Sequence, residues 1–108
     1  MKITVITIFP EFFDSFTTTS IIKRAIDSGK VEFETIDFRD FTLDRHRHVD
    51  DTPYGGGQGM VLAPQPITDA LRSVRTPRSH VVMMTPQGKT FDQRQALRLA
   101  HQDHLIFL

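Results

Sequence analysis

The sequence predicts an α/β fold: a parallel sheet with helices on both faces. Two observations predict it. β-rich apolar stretches alternate with stretches of helical period along the chain, in the order β-α-β-loop-α-β-α-β. The first β-rich stretch, Ile3 to Phe9, is apolar at Ile3, Val5, Ile6 and Ile8, so it carries apolar side chains on both faces, as a strand covered on two sides does.

Each element has its own local signature. Pro10 ends the first strand, and a helical segment follows to about Ser28, with Ile21, Ile22, Ala25 and Ile26 on one side and Gly29 as its stop. Val31 to Phe38 alternates Val31, Phe33 and Thr35 against Glu32 and Glu34, the period of a half-buried or edge strand. Residues 39–63 are polar, then glycine-rich, without a clear period; a loop of about 25 residues inside a compact domain points to function or mobility. Ile67, Ala70, Leu71 and Val74 fall at i, i+3, i+4 and i+7, marking a helix opened by Pro64 and Pro66. His80 to Met84 is a short apolar strand. Thr90 and Gln93 form a capping box that opens a helix through about His101, and Leu105 to Leu108 is a fourth strand.

The 108 residues fit one domain, residues 1–108, with a modest core. A hydrophobic content of 39% and a charged content of 24% are those of an ordinary soluble chain. No apolar run is long enough to span a bilayer, and Met1 to Ile6 reads as a strand, not a signal peptide. The absence of cysteine excludes disulfides and thiolate metal sites and fits a cytoplasmic location. The chain stops on an apolar strand. Ligands in open parallel sheets bind in loops leaving the carboxyl ends of strands, so the expectation is an N-terminal piece of a longer protein.

The formal net charge of zero conceals an asymmetry. Residues 1–71 hold 7 basic and 11 acidic side chains, whereas 72–98 hold Arg72, Arg75, Arg78, Lys89, Arg94 and Arg98 against Asp92 alone. Such a stretch is compatible with phosphate contact, but on charge alone a solvated helix face is the favoured reading.

Four of the six glycines lie in the run Asp50-Asp51-Thr52-Pro53-Tyr54-Gly55-Gly56-Gly57-Gln58-Gly59-Met60. Glycine costs conformational entropy and packs nothing, so this cluster marks backbone that bends sharply or lies close to another group. It neither follows a strand nor opens a helix, which excludes a dinucleotide fingerprint. Asp44, His46, His48, Asp50 and Asp51 carry metal-ligand chemistry, but Arg45 and Arg47 interleave them and would repel a cation, so no metal is expected. In Met83-Met84-Thr85-Pro86-Gln87-Gly88-Lys89-Thr90 the ending Gly-Lys-Thr is that of a P-loop, yet Met83 stands where the motif needs its first glycine. Two readings of that turn stand side by side: a rigid turn offering backbone groups to a small ligand, or a well-capped strand-to-helix turn. Phe12, Phe13 and Phe16 are expected to be core rather than a surface for stacking bases, and His80, His101 and His104 to be structural.

Taken in order, these segments resemble the bacterial tRNA (guanine-N1)-methyltransferase family, of the knotted SPOUT class. The resemblance is carried by Ile6-Thr7-Ile8-Phe9-Pro10-Glu11-Phe12-Phe13, by Arg39-Asp40-Phe41-Thr42, by His48 through the glycine run to Leu62, by Thr85-Pro86-Gln87-Gly88 and by Leu105 to Leu108, and it covers the whole chain. It implies the N-terminal part of a trefoil-knot methyltransferase domain with the knot itself incomplete. It also implies a homodimer that shares its active site between chains and transfers a methyl group from S-adenosylmethionine to N1 of the guanosine 3′-adjacent to the anticodon of tRNA. By position, Met84, Thr85, Pro86 and Gly88 would line the cofactor. Asp50, Tyr54, Gly55, Gly56, Gly57 and Gly59 would shape the pocket for the target base. The catalytic residues, an Asp and an Arg that the resemblance implies as general base and cationic partner of O6, would lie beyond Leu108, leaving the 108 residues inactive alone. The alternative is a non-catalytic nucleic-acid-binding or dimerisation module that uses Arg72 to Arg98 on phosphates.

Overall fold

A computed structural model of the chain describes residues 1–43, 50–51, 61–62, 64–85 and 87–108. Its elements in order are β1 (Lys2–Thr7), a 3₁₀ turn (Pro10–Phe13), α1 (Asp14–Thr17), α2 (Ser20–Asp27), β2 (Glu32–Asp37), a second 3₁₀ turn (Phe38–Phe41), β3 (Asp50–Asp51), β4 (Val61–Leu62), α3 (Pro64–Val74), β5 (Ser79–Val82), α4 (Gln93–Leu99) and β6 (His104–Phe107). Four strands form one sheet in the order β2-β1-β6-β5, and every neighbouring pair is parallel. β1 and β6 are central.

The registers decide which side chains share a face. Thr4 and Ile6 of β1, Ile36 of β2, Val81 of β5 and His104 and Ile106 of β6 lie on one side. α3 covers that side: Ile6, Ile106, Ala70 and Phe38 form the buried cluster, and Ile36, Phe41, Ile67, Leu71, Val74 and Val81 pack around it. The four apolar positions of the α3 period are thus all in the core. On the opposite face, Phe33 of β2 meets Phe13 and Phe16 at ring-centroid distances of 6.0 and 5.9 Å. Leu99 of α4 faces Val82 and Phe107 across a cleft there. The expected layering, helices on both faces of a parallel sheet, is what the chain forms.

A polar chain crosses the α3 face near the amino ends of the strands. The Thr4 hydroxyl donates to Glu34 Oε1 at 2.8 Å, so its oxygen accepts from His104 Nε2, also at 2.8 Å. In the neutral ring the proton then sits on Nε2, and Nδ1 accepts the Ser79 hydroxyl at 2.8 Å. Ser79 Oγ in turn accepts from the Thr76 amide. Thr4 is 0% and His104 7% exposed. Unpaired groups at such depth would each cost on the order of 1–3 kcal/mol, and among the described residues no buried side-chain nitrogen or oxygen lacks a partner. His104 is structural, as expected.

Several local expectations are corrected. The single helix before Gly29 is three pieces. Thr17, Thr18 and Thr19 turn their hydroxyls back onto the carbonyls of Phe13, Asp14 and Ser15, competing with the helical ladder, and Thr19 takes up extended backbone angles. α2 ends where expected: Gly29 sits at φ 79°, with its amide on Ile26 O and the Lys30 amide on Ala25 O, a Schellman closure. α4 is capped by Asp92, not Thr90. The Asp92 carboxylate accepts the Gln95 amide at 2.9 Å, and a charged acceptor three residues before that amide outcompetes a more distant hydroxyl. Phe12 is 73% and Phe16 46% exposed, so only Phe13 of that trio is substantially covered. The long loop contains structure that hydropathy did not reveal: the Phe38–Phe41 turn and the antiparallel pairing of Asp50 with Leu62 and Asp51 with Val61.

Two substitutions test this account by chemical denaturation. Ile106→Ala, at a fully buried central position, is expected to cost about 3 kcal/mol, against less than about 0.5 kcal/mol for Ile21→Ala on the surface. Thr4→Val keeps shape but strands the His104 Nε2 proton, and is expected to cost about 1–3 kcal/mol.

Candidate functional site

Because the four strands are parallel, their carboxyl ends and the turns leaving them gather at one edge of the sheet. β5 delivers the Thr85–Gly88 turn there. Met83 and Met84 leave the strand, but the Met84 amide still donates to Leu108 O and the Leu108 amide to Val82 O, both at 3.0 Å, so the turn starts from a fixed point on β6. The turn closes on Thr85: the Gln87 amide donates to its hydroxyl at 3.2 Å and the Gly88 amide to its carbonyl at 3.3 Å. A β-carbon on Gly88 would stand 3.3 Å from Thr85 Cγ2, tighter than ordinary contact, so glycine lets the two ends of the turn approach.

Between this turn, β5, β6 and α4 lies a cleft of about 650 Å³. Val82, Leu99 and Phe107 give it an apolar floor, and Met84, Thr85 and Gly88 form its mouth. Of the residues expected to hold a cofactor, Met84, Thr85 and Gly88 are brought together here, and Pro86 lies outside the described residues. An apolar floor with a hydroxyl and a constrained turn at the rim fits a ligand with a flat, mostly apolar body and a few polar atoms.

The residues expected on the substrate side are placed less completely. The Asp50 backbone belongs to β3, paired with Leu62 of β4. Residues 52–60, with Tyr54, Gly55, Gly56, Gly57 and Gly59, connect the two strands and lie outside the described residues. The base of this excursion is fixed on both sides. Asp37 at the end of β2 accepts the Arg39 amide at 2.9 Å and binds its guanidinium through Nε and Nη2. That hydrogen bond, then the Asp37 charge, raise the Arg39 pKa above its ordinary value. From the other side, Gln65 Nε2 of α3 reaches Phe41 O and Asp69 Oδ2, both at 2.6 Å. Among the described residues no group of three or more histidines and carboxylates could hold a metal, and the cluster Asp44, His46 and His48 lies outside them. Nor, among the described residues, is any helix long and apolar enough to cross a membrane.

The cleft also contains residues outside the expected cofactor set. Lys89, Phe91, Gln95 and Arg98 line it. Arg98 and Lys89 belong to the basic stretch read as a solvated face. What could have found them is position: Lys89 immediately follows a strand-to-helix turn at the carboxyl edge of a parallel sheet, and Arg98 lies on the helix that the turn leads into.

The family model for tRNA (guanine-1)-methyltransferase, TrmD, matches residues 1–108. Curated proteins named tRNA (guanine-N(1)-)-methyltransferase are similar over the whole chain: one from Malacoplasma penetrans is 52% identical over 108 residues, one from Shouchella clausii 49% over 113, and one from Macrococcus caseolyticus 50% over 109. The chain spans about half the length of these relatives, covering 48%, 46% and 45% of them.

Gly88→Val tests whether the turn shapes the cleft. It is expected to leave the thermal midpoint within about 3 °C, because the position is exposed. If the turn holds S-adenosylmethionine, as the resemblance implies, the substitution in a protein of the relatives' length weakens that binding about tenfold, measured by calorimetry. Undiminished affinity would separate the turn from the ligand.

Proposed function

Because the chain belongs to the tRNA (guanine-1)-methyltransferase family, we propose that it forms the N-terminal α/β domain, residues 1–108, of an enzyme that methylates N1 of the guanosine 3′-adjacent to the anticodon of tRNA. The single observation that carries the reading is the match of the family over every residue of the chain, with Thr85 and Gly88 of the turn lining a cleft of about 650 Å³. A homodimer sharing its site between chains, a trefoil knot completed by further sequence, and a cytoplasmic location belong to the same proposal.

Residues of the cleft fit S-adenosylmethionine, which supplies a methyl group on an electrophilic sulfonium. Met84, Thr85, Pro86 and Gly88 hold its adenosine end: the floor of Val82, Leu99 and Phe107 accepts an apolar ring, and the turn presents the polar atoms of Thr85 at the rim. Asp50, Tyr54, Gly55, Gly56, Gly57 and Gly59 border the target base, with glycine backbone in close approach and the ribbon of β3 and β4 as its root. Guanine N1 carries a proton that a general base must remove, and charge growing on O6 needs a cation or N–H donor. In this proposal residues outside the 108 supply both, so Asp50 and Asp51 shape the pocket without serving as the base.

The test is methyl transfer from labelled S-adenosylmethionine to unmodified tRNA bearing guanosine 3′ of the anticodon, comparing the 108 residues with a protein of the relatives' length. The longer protein is expected to yield 1-methylguanosine in the tRNA digest, and the 108 residues to show no turnover. A longer protein that methylates another atom or no guanosine overturns the proposal. In that protein Gly57→Val is expected to lower guanosine methylation at least about tenfold while S-adenosylmethionine affinity changes less than about twofold. Equal losses would contradict a base-side role for the glycine run.

A further inference from the structure

The cofactor turn occupies only part of the cleft. Its α4 side is built from Lys89, Phe91 and Arg98, residues with no place in the reading above. Phe91 is 68% exposed, an aromatic ring left in water at the rim of a cleft. Lys89 and Arg98 flank it in sequence and line the same cavity. Arg98 is held in position by its Nη2–H, which donates to Gln95 Oε1 one helical turn earlier.

Among the described residues neither Lys89 nor Arg98 pairs with a carboxylate, whereas Arg72 and Arg78 each have one nearby, Asp69 and Asp103. The only acid of the stretch, Asp92, commits its carboxylate to capping α4 on the Gln95 amide. The result is two positive charges, that of Arg98 held by Gln95, lining one cavity with an exposed aromatic ring. Unstacked nucleic acid calls for that combination: a π-face for one base and cations for its neighbouring phosphates.

We propose that Lys89, Phe91 and Arg98 form a shelf for a single-stranded RNA segment, Phe91 stacking on one base and the two cations taking the flanking phosphates. The proposal rests on the reading of the substrate as tRNA and specifies where a nucleotide beside the target guanosine is held. Duplex RNA, whose bases are already stacked, does not satisfy Phe91. The shelf therefore selects an open loop.

Fluorescence anisotropy of a labelled anticodon-loop RNA with the 108-residue chain tests this without methyl transfer. Phe91→Ala is expected to weaken binding about tenfold and Phe91→Trp to restore it, since stacking needs only a π-face. Lys89→Ala/Arg98→Ala is expected to reduce the slope of log affinity against log salt by about 1.4. Arg72→Ala/Arg75→Ala removes the same charge away from the cleft and is expected to leave affinity within about threefold. The same RNA as a duplex is expected to bind more weakly and to ignore Phe91→Ala. No RNA binding by the unmodified chain, unchanged affinity in Phe91→Ala, an equal loss in the charge-matched control, or a loss of S-adenosylmethionine affinity instead would each overturn the shelf. None of these outcomes touches the methyl-transfer assay on the longer protein, by which the functional reading stands or falls separately.

Discussion

The chain of hydrogen bonds from Ser79 through His104 and Thr4 to Glu34 is the constraint on which the sheet depends. It joins all four strands, β5, β6, β1 and β2, running diagonally between β6 and β1, where His104 is paired with Lys2 and Thr4 with Ile106. An apolar sheet face tolerates many pairings of similar hydrophobic content, but a buried imidazole and a buried hydroxyl tolerate only those in which each finds its partner. A slip of one residue between β1 and β6 would turn Thr4 or His104 to the opposite face and leave the other unpaired. Parallel strands have no tight turn to set their register, so this polar line takes over what a hairpin does elsewhere. The buried cluster of Ile6, Ile106, Ala70 and Phe38 lies on the same face and supplies the larger share of stabilisation by area. The polar line supplies uniqueness.

With the register set at the amino ends, the carboxyl ends fall in place together. β5 and β6 stay bonded past their last strand residues through Met84 and Leu108, which fixes where the Thr85–Gly88 turn begins. β2 ends in the Asp37–Arg39 pair, and α3 anchors the neighbouring Phe41 carbonyl through Gln65. The root of the loop that carries the glycine run is therefore held by the elements that build the core. The second face of the sheet is covered less evenly. There Val5 is only half-buried, and Phe12 of the first 3₁₀ turn, Phe16 of α1 and Phe91 just before α4 are exposed.

Most of this was legible in the sequence because the signals are local and redundant. The α3 period of Ile67, Ala70, Leu71 and Val74 names four residues that all pack against the sheet, and Gly29 stops α2 with the bonds its position implies. The misses share a cause. Thr17 to Thr19 break a helix through side-chain bonds to the backbone that a hydrophobic pattern does not register, and Asp92 displaces Thr90 as cap because a carboxylate at the right distance is the better acceptor. Phe12 and Phe16 read as core because phenylalanine usually is, but they sit on a 3₁₀ turn and one turn of helix, too short to bury them. Strand order could not be read at all, since it depends on which pairs satisfy Thr4 and His104. Thr85 and Gly88 were visible as a turn, whereas Lys89, Phe91 and Arg98 became a surface only when α4 was laid against β5.

Amide hydrogen exchange on the 108-residue chain measures the central dependence directly. Amides of Thr4, Leu105 and Ile106, in the paired centre of β1 and β6, are expected to exchange only with global unfolding, with Thr4→Val accelerating them together with their neighbours on β2 and β5. Amides at Gln87 and Gly88 are expected to exchange far faster through local opening, unaltered by that substitution. Protection in β1 and β6 no greater than in α4, or a Thr4→Val effect confined to its own strand, would contradict the claim that one buried polar line holds the four strands in register.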